Sequence, residues 1–211
     1  MKFMLLTLGI VLQLLSFSQD TIIDRGIYQS YYSYSLQQPM YVKYVLWKGG
    51  GECSRSKFRF INDTELAMVD NSEYTRSGFD RGHLANAEDF AYDCVKDELT
   101  FRYYNCLPQT PNLNRGPWKV WETTIRQESQ KDSLLIITGG IWTGTIEKGI
   151  QVPTYCWKVV QSLSTLKVTH VLLFTNKIND SVGKEITLAE LEKMLKYQVP
   201  IRKKKIIKTK K

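Results

Sequence analysis

Two histidines occur in the 211 residues, and one of them, His83, ends the run Phe79-Asp80-Arg81-Gly82-His83. On an extended backbone, residues two apart project to the same side, so Arg81 and His83 are expected to share a face. That places a cation suited to phosphate beside a titratable base with an ordinary pKa of about 6.5. Gly82 between them is expected to leave room for a ligand to approach the backbone closely. Downstream come Asn105-Cys106-Leu107-Pro108-Gln109, then Asn112-Leu113-Asn114-Arg115-Gly116-Pro117-Trp118, then Trp121-Glu122. If Asn114 opens a helix, Pro117 falls in its first turn, where a missing N–H costs nothing. Asn114, Trp118 and Glu122 then stand at i, i+4 and i+8. Eight steps of about 100° leave a net rotation of about 80°, which puts the Asn114 amide and the Glu122 carboxylate on one side of the helix, two turns apart. The second histidine, His170, sits in Thr169-His170-Val171 with no partner at a meaningful spacing and reads as structural.

These side chains need a scaffold. Tyr41–Trp47 is rich in β-formers and partly alternating, and Leu134–Ile137 reads as a buried strand running into a turn at Thr138-Gly139-Gly140. Tyr155–Val160 and Val168–Phe174 read as two more strands. Leu113–Gln130 has no breaker after Pro117 and is expected to be helical. Thr187–Lys196 places Leu188, Leu191 and Leu195 at helical spacing behind a Thr cap, with Glu190 three residues on. Strands on both sides of a helix predict an α+β domain. No repeat or Pro/Gly/Ser-rich linker divides the chain, so a single domain over residues 19–200 is expected.

The formal charge of +8 invites a polyanionic partner until it is located. Residues 1–18 contribute Lys2 alone, and Arg202 to Lys211 contribute seven cations and no acid, so residues 19–200 are neutral on balance. The excess is a basic C-terminal tail over 201–211, read as a solvated arm. At the other end, Lys2 precedes an apolar run from Phe3 to Leu15, with small residues, Ser16 and Ser18, at the −3 and −1 positions of a cut after Ser18. This is the pattern of a cleavable export signal over 1–18 and predicts a secreted or periplasmic protein. The run is shorter than the ~20 apolar residues of a membrane span, and no later segment qualifies. Export makes disulfides chemically reasonable. Cys53, Cys94, Cys106 and Cys156 allow three full pairings; Cys94 with Cys106 is preferred because it closes a short loop, and unpaired buried thiols remain open.

Asp80-Arg81-Gly82-His83, followed some thirty residues later by Leu113-Asn114-Arg115-Gly116 with Trp118 and Glu122, resembles the signature of the sugar-non-specific DNA/RNA endonucleases, the ββα-metal nucleases. Asn105 with Pro108-Gln109, Thr138-Gly139-Gly140, Val152-Pro153 and the strands and helix beyond them also fit, so the resemblance covers roughly Tyr41 to Pro200. It implies a central, mainly antiparallel sheet with the metal-binding helix packed on it. It also implies hydrolysis of phosphodiester bonds in DNA and RNA, single- or double-stranded, with a divalent cation.

Carried onto this chain, the resemblance makes His83 the general base that takes a proton from water. Asn114 becomes the direct metal ligand, and Glu122 holds the metal through water. A neutral amide on a mostly hydrated hard ion suits Mg²⁺, with Mn²⁺ or another divalent ion as substitutes. Arg81 would stabilise the phosphate in the transition state, and Asn105 would position His83 or the substrate. Arg55 would bind phosphate, with Arg59 as its competitor. Asn86 stands where the family commonly has proline, and Pro117 where it has a small residue; neither change removes a chemical group. A homodimer is compatible with the resemblance. The competing reading is a secreted, catalytically silent nucleic-acid-binding relative.

Overall fold

The computed structural model describes residues 20–144 and 149–204. The expected export signal over 1–18, most of the basic tail and residues 145–148 therefore lie outside the described residues. In chain order the strands are β1 (Thr21–Asp24), β2 (Tyr28–Ser33), β3 (Gln38–Leu46), β4 (Asp80–His83), β5 (Cys106–Gln109), β6 (Leu134–Ile141), β7 (Tyr155–Ser162), β8 (Val168–Thr175) and β9 (Gly183–Glu185). The helices are α1 (Asn71–Tyr74), α2 (Cys94–Leu99), α3 (Pro111–Leu113), α4 (Lys119–Glu128) and α5 (Leu188–Leu195).

Seven strands form one sheet in the order β1-β2-β3-β6-β7-β8-β9, antiparallel at every pairing. The two-residue period of its strands supplies two cores. On one face Val42, Tyr44, Leu46, Ile136, Val160, Leu172 and Phe174 pack with Leu84, Leu107, Leu113, Trp118 and Ile125. On the other, Tyr41, Leu135, Ile137, Trp157, Val159, Val171 and Leu173 pack with Leu191 of α5 and with Val199. Because both faces are covered, β6 is buried at all eight positions and reads as a continuous apolar run. Thr138, Gly139 and Gly140, expected as a turn, continue that strand opposite Lys158, Trp157 and Cys156. The expected α+β class holds, and the edge strands β1 and β9, with β2 between β1 and β3, are additions to it.

β4 and β5 make a separate antiparallel pair. With α4 they form the ββα unit that carries the site, packed on the first face of the sheet. Helix α5 follows its sequence signals closely. Thr187 and Glu190 close a capping box, and Lys196 ends the helix in the left-handed region at φ 61°.

The helix expected from Leu113 to Gln130 is interrupted. Thr110, not Asn114, caps its start by accepting a hydrogen bond from the Leu113 N–H at 3.3 Å, with Pro111 in the first turn. A π turn then spans Asn114–Trp118, with Gly116 outside helical geometry at φ −107°, ψ −117°. The α-helix proper resumes at Lys119. The ideal-helix arithmetic linking Asn114 to Glu122 therefore does not apply, since Pro117 and Gly116 reset the register between them.

The preferred disulfide is also corrected. Cys53 pairs with Cys94 at a Cα–Cα distance of 5.3 Å, while Cys106 and Cys156 are free and buried. Cys94 lies exposed at the start of α2, whereas Cys106 begins β5 with its thiol turned inward, 3.7 Å from the Tyr74 hydroxyl. Short separation along the chain could not overcome those opposed directions. The bridge fastens the irregular segment after β3 to α2. Gly51 in that segment has φ +148° and lies so close to Ala91 that a Cβ would sit 2.2 Å from its carbonyl carbon. Only glycine fits there.

Candidate active site

Strand β4 carries chemistry at both ends. Asp80 begins it and His83 ends it, about 10 Å apart at the usual rise per residue. His83 lies between two aromatic rings, 4.8 Å from Phe60 and 4.7 Å from Phe101, and its Nε2 is buried without a hydrogen-bond partner. Burial, reinforced by the nearby positive charge of Arg55, pulls its pKa down to about 3. The expectation of an unperturbed value is thereby corrected. Both influences disfavour the imidazolium, so His83 is neutral across the physiological range, with its buried Nε2 left without a partner.

Arg55 reaches this place because its segment is fixed. Its Nε donates to Asp97 and its Nη1 to Glu88, both at 2.7 Å, two residues from the disulfide. Arg59, the alternative phosphate ligand, instead donates to the carbonyls of Ser56 and Phe58 in its own loop. Arg81 donates from Nη2 to Asn71 Oδ1 at 2.6 Å and lies over the Tyr74 ring at 4.8 Å. Gly82 does not make room for a ligand. A Cβ there would fall 2.1 Å from Gln109 Oε1, so the glycine admits a side chain from the paired strand.

Asn105 is fully buried and fully engaged. Its Oδ1 accepts from the Ala85 N–H at 2.9 Å, and its Nδ2 donates to the carbonyls of Ala85 and Thr100 at 2.9 and 2.8 Å. Its own carbonyl accepts from the Leu84 N–H. It thus clamps the two residues that follow His83 and has no side-chain atom left for a ligand. Asn86 likewise has a structural task, accepting from the Glu88 N–H at 2.8 Å and from Arg126 at 3.0 Å.

At the other end of β4, Asp80 accepts from Asn114 Nδ2 at 3.0 Å and takes both donors of Arg115 at 2.8 and 2.7 Å. Asp80 had no role in the sequence reading, although it belongs to the same motif. By occupying the amide nitrogen it leaves Asn114 Oδ1 as the free acceptor. Glu122, in the first turn of α4, is 8% exposed, and its Oε1 has no hydrogen-bond partner. Burial pushes its pKa up to about 7 against the pull of Lys158, whose Nζ lies 3.9 Å away. Lys158 itself is 1% exposed, and burial lowers its pKa. The signal that could have revealed it is a lone cation inside the apolar strand Tyr-Cys-Trp-Lys-Val-Val.

An oriented amide oxygen and a carboxylate oxygen without a partner are the right donors for a mostly hydrated, hard divalent cation. Among the described residues no group of three His, Cys, Asp or Glu side chains could hold a metal ion. His170 packs against Trp121 of α4, with ring centroids 5.1 Å apart. It joins Glu128 of α4 at 2.9 Å to Glu185 of β9 at 2.6 Å; burial lowers its pKa, but the two carboxylates outweigh burial and hold it above its ordinary value.

A profile of DNA/RNA non-specific endonucleases matches residues 12–206. A nuclease of Nostoc sp. is 35% identical over 100 residues, covering 46% of this chain and 36% of that protein. Mitochondrial endonuclease G of Homo sapiens is 30% identical over 129 residues, covering 54% of this chain and 43% of its own length. The chain thus matches less than half the length of either relative. The crystal structure of EndoG in its complex with EndoGI superposes with a TM-score of 0.69 over 83% of both chains at 23% identity, a likeness of fold. With the family profile spanning nearly the whole chain, this protein belongs to the DNA/RNA non-specific endonuclease family.

Proposed function

We propose that the protein is an exported, divalent-metal-dependent endonuclease that hydrolyses phosphodiester bonds of DNA and RNA with little regard for sequence. The observation that carries this is His83, neutral, with Nε2 unpartnered, on the strand whose other end orients Asn114. In the reaction, Nε2 takes a proton from water as its oxygen attacks phosphorus, and the bond to the 3′ oxygen breaks. Arg55 and Arg81 hold the phosphate. Asn114 Oδ1 would hold the cation directly and Glu122 would hold it through water. Mg²⁺ fits this donor set best. When bound, it would offset charge on the bridging and leaving oxygens. Contacts of this kind carry no base information, which accounts for the lack of specificity.

Export rests on the segment before Ser18, and the Cys53–Cys94 bridge supports it, because such bonds persist in oxidising compartments. Among the described residues no helix is long and apolar enough to cross a membrane. The test uses the purified mature chain with plasmid or RNA, in Mg²⁺ or EDTA, beside His83→Ala. Metal-dependent cleavage of both substrates is expected, with a loss of several orders of magnitude in rate and retained binding in the variant. Binding without cleavage at every metal concentration would identify a silent relative and overturn the proposal. Undiminished cleavage by His83→Ala would overturn the assigned base.

A further inference from the structure

Among the strands beneath the site, β7 presents one charged side chain to the core. Lys158 sits opposite Thr138 on β6 and Leu172 on β8, sealed under Trp118, whose ring centroid is 4.2 Å from Nζ. Its ammonium has no hydrogen-bond partner, and neither has Glu122 Oε1 at 3.9 Å. A buried ammonium without hydrogen bonds is costly. Cys156, Val160, Leu172 and Phe174 belong to the apolar core on this face and give the ammonium no hydrogen bond. The other charges nearby are already matched. Asp89 is bonded to Arg126 at 2.9 Å and to the Tyr44 hydroxyl at 2.8 Å. Lys158 is therefore left facing Glu122.

We propose that Lys158 is a positioning residue for Glu122, a fixed counter-charge behind the carboxylate that keeps it directed at the hydration shell of the catalytic cation. The separation matters to the argument. At 3.9 Å the ammonium favours the carboxylate electrostatically without occupying Oε1 by a hydrogen bond, so the oxygen stays free to accept from metal-held water. A closer pair would satisfy Glu122 and remove it from the site. The aromatic face of Trp118 takes the place of water around the ammonium. This inference rests on the reading of Glu122 as a water-mediated metal holder.

Mn²⁺ binding to the intact, disulfide-bonded chain, followed by electron paramagnetic resonance or calorimetry without nucleic acid, provides the test. Lys158→Met keeps the stem and removes the charge. Its Mn²⁺ affinity is expected to fall about 10- to 100-fold, the usual cost of losing a supporting partner of a metal site. In a Glu122→Gln background the same change should add almost nothing, because Lys158 acts through that carboxylate. Should Lys158→Met fail to fold, Lys158→Gln replaces it under the same two criteria. A folded variant with wild-type Mn²⁺ affinity overturns the proposal. So does an equal fold-loss with and without Glu122, the mark of a merely structural lysine. Asn114→Ala reports on the site itself: wild-type protein that binds no Mn²⁺, or binds it equally well without Asn114, would overturn the metal-site reading and this inference with it.

Discussion

The pKa of His83 makes a quantitative demand on stability. Its value falls from 6.5 when exposed to about 3 in the folded chain, so between those limits the unfolded state binds more protons than the native state. Stability contributed by the neutral ring is therefore present above pH 6.5 and lost as pH falls toward 3. Between pH 7.5 and pH 5 the single-site linkage expression gives a loss of about 2 kcal/mol. His83→Asn removes the titration while also losing the packing between Phe60 and Phe101. Urea unfolding of both proteins, with the disulfide intact, should show the wild type ahead at pH 7.5. That advantage should shrink by about 2 kcal/mol at pH 5. An advantage independent of pH would refute a depressed His83. The same shift predicts no limb near pH 6.5 from His83 in the pH dependence of kcat/KM, since the base is already neutral there.

Other consequences can be measured directly. Replacing Cys53 and Cys94 by serine opens a closed segment with a sequence separation of 41, which in the loop-entropy account costs about 4 kcal/mol. Because the bridge fixes the segment holding Arg55, KM for nucleic acid should rise in the surviving folded fraction; unchanged stability and KM would refute that role. The Arg202 backbone exchanges two hydrogen bonds of 2.8 Å with the Gln161 side chain, so the folded chain continues two residues past the expected boundary at 200. Ile201 packs against the core on the α5 face of the sheet. Deleting residues 203–211 removes six cations and should lower the slope of log affinity against log salt by up to roughly five, with kcat nearly unchanged. A large fall in kcat would show that the tail reaches the site.

Much of the fold was open to reading because its signals are local. β3, β7, β8 and α5 announce themselves through alternation, β-branched runs and a capping box, and each formed close to its expected bounds. The edge strands β1 and β9 and the interior strand β2 were not, since they are short or polar and owe their structure to pairing with a neighbour's backbone. The helix through Asn114 was misread because a π turn at Gly116 and Pro117 breaks a register that spacing alone assumed continuous.

The sequence by itself determined the chemical inventory: Arg81, His83, Asn114 and Glu122 in one order, a neutral body, and a charge excess confined to its tail. These are properties of residue type and near spacing. Only the tertiary structure decided the states of those groups. It paired Cys53 with Cys94, fixed the Asn114 amide through Asp80, spent Asn105 on the backbone behind His83, and set Lys158 behind Glu122. Each of these depends on what burial removes and on which distant residue arrives in its place, and neither quantity is encoded in spacing along the chain.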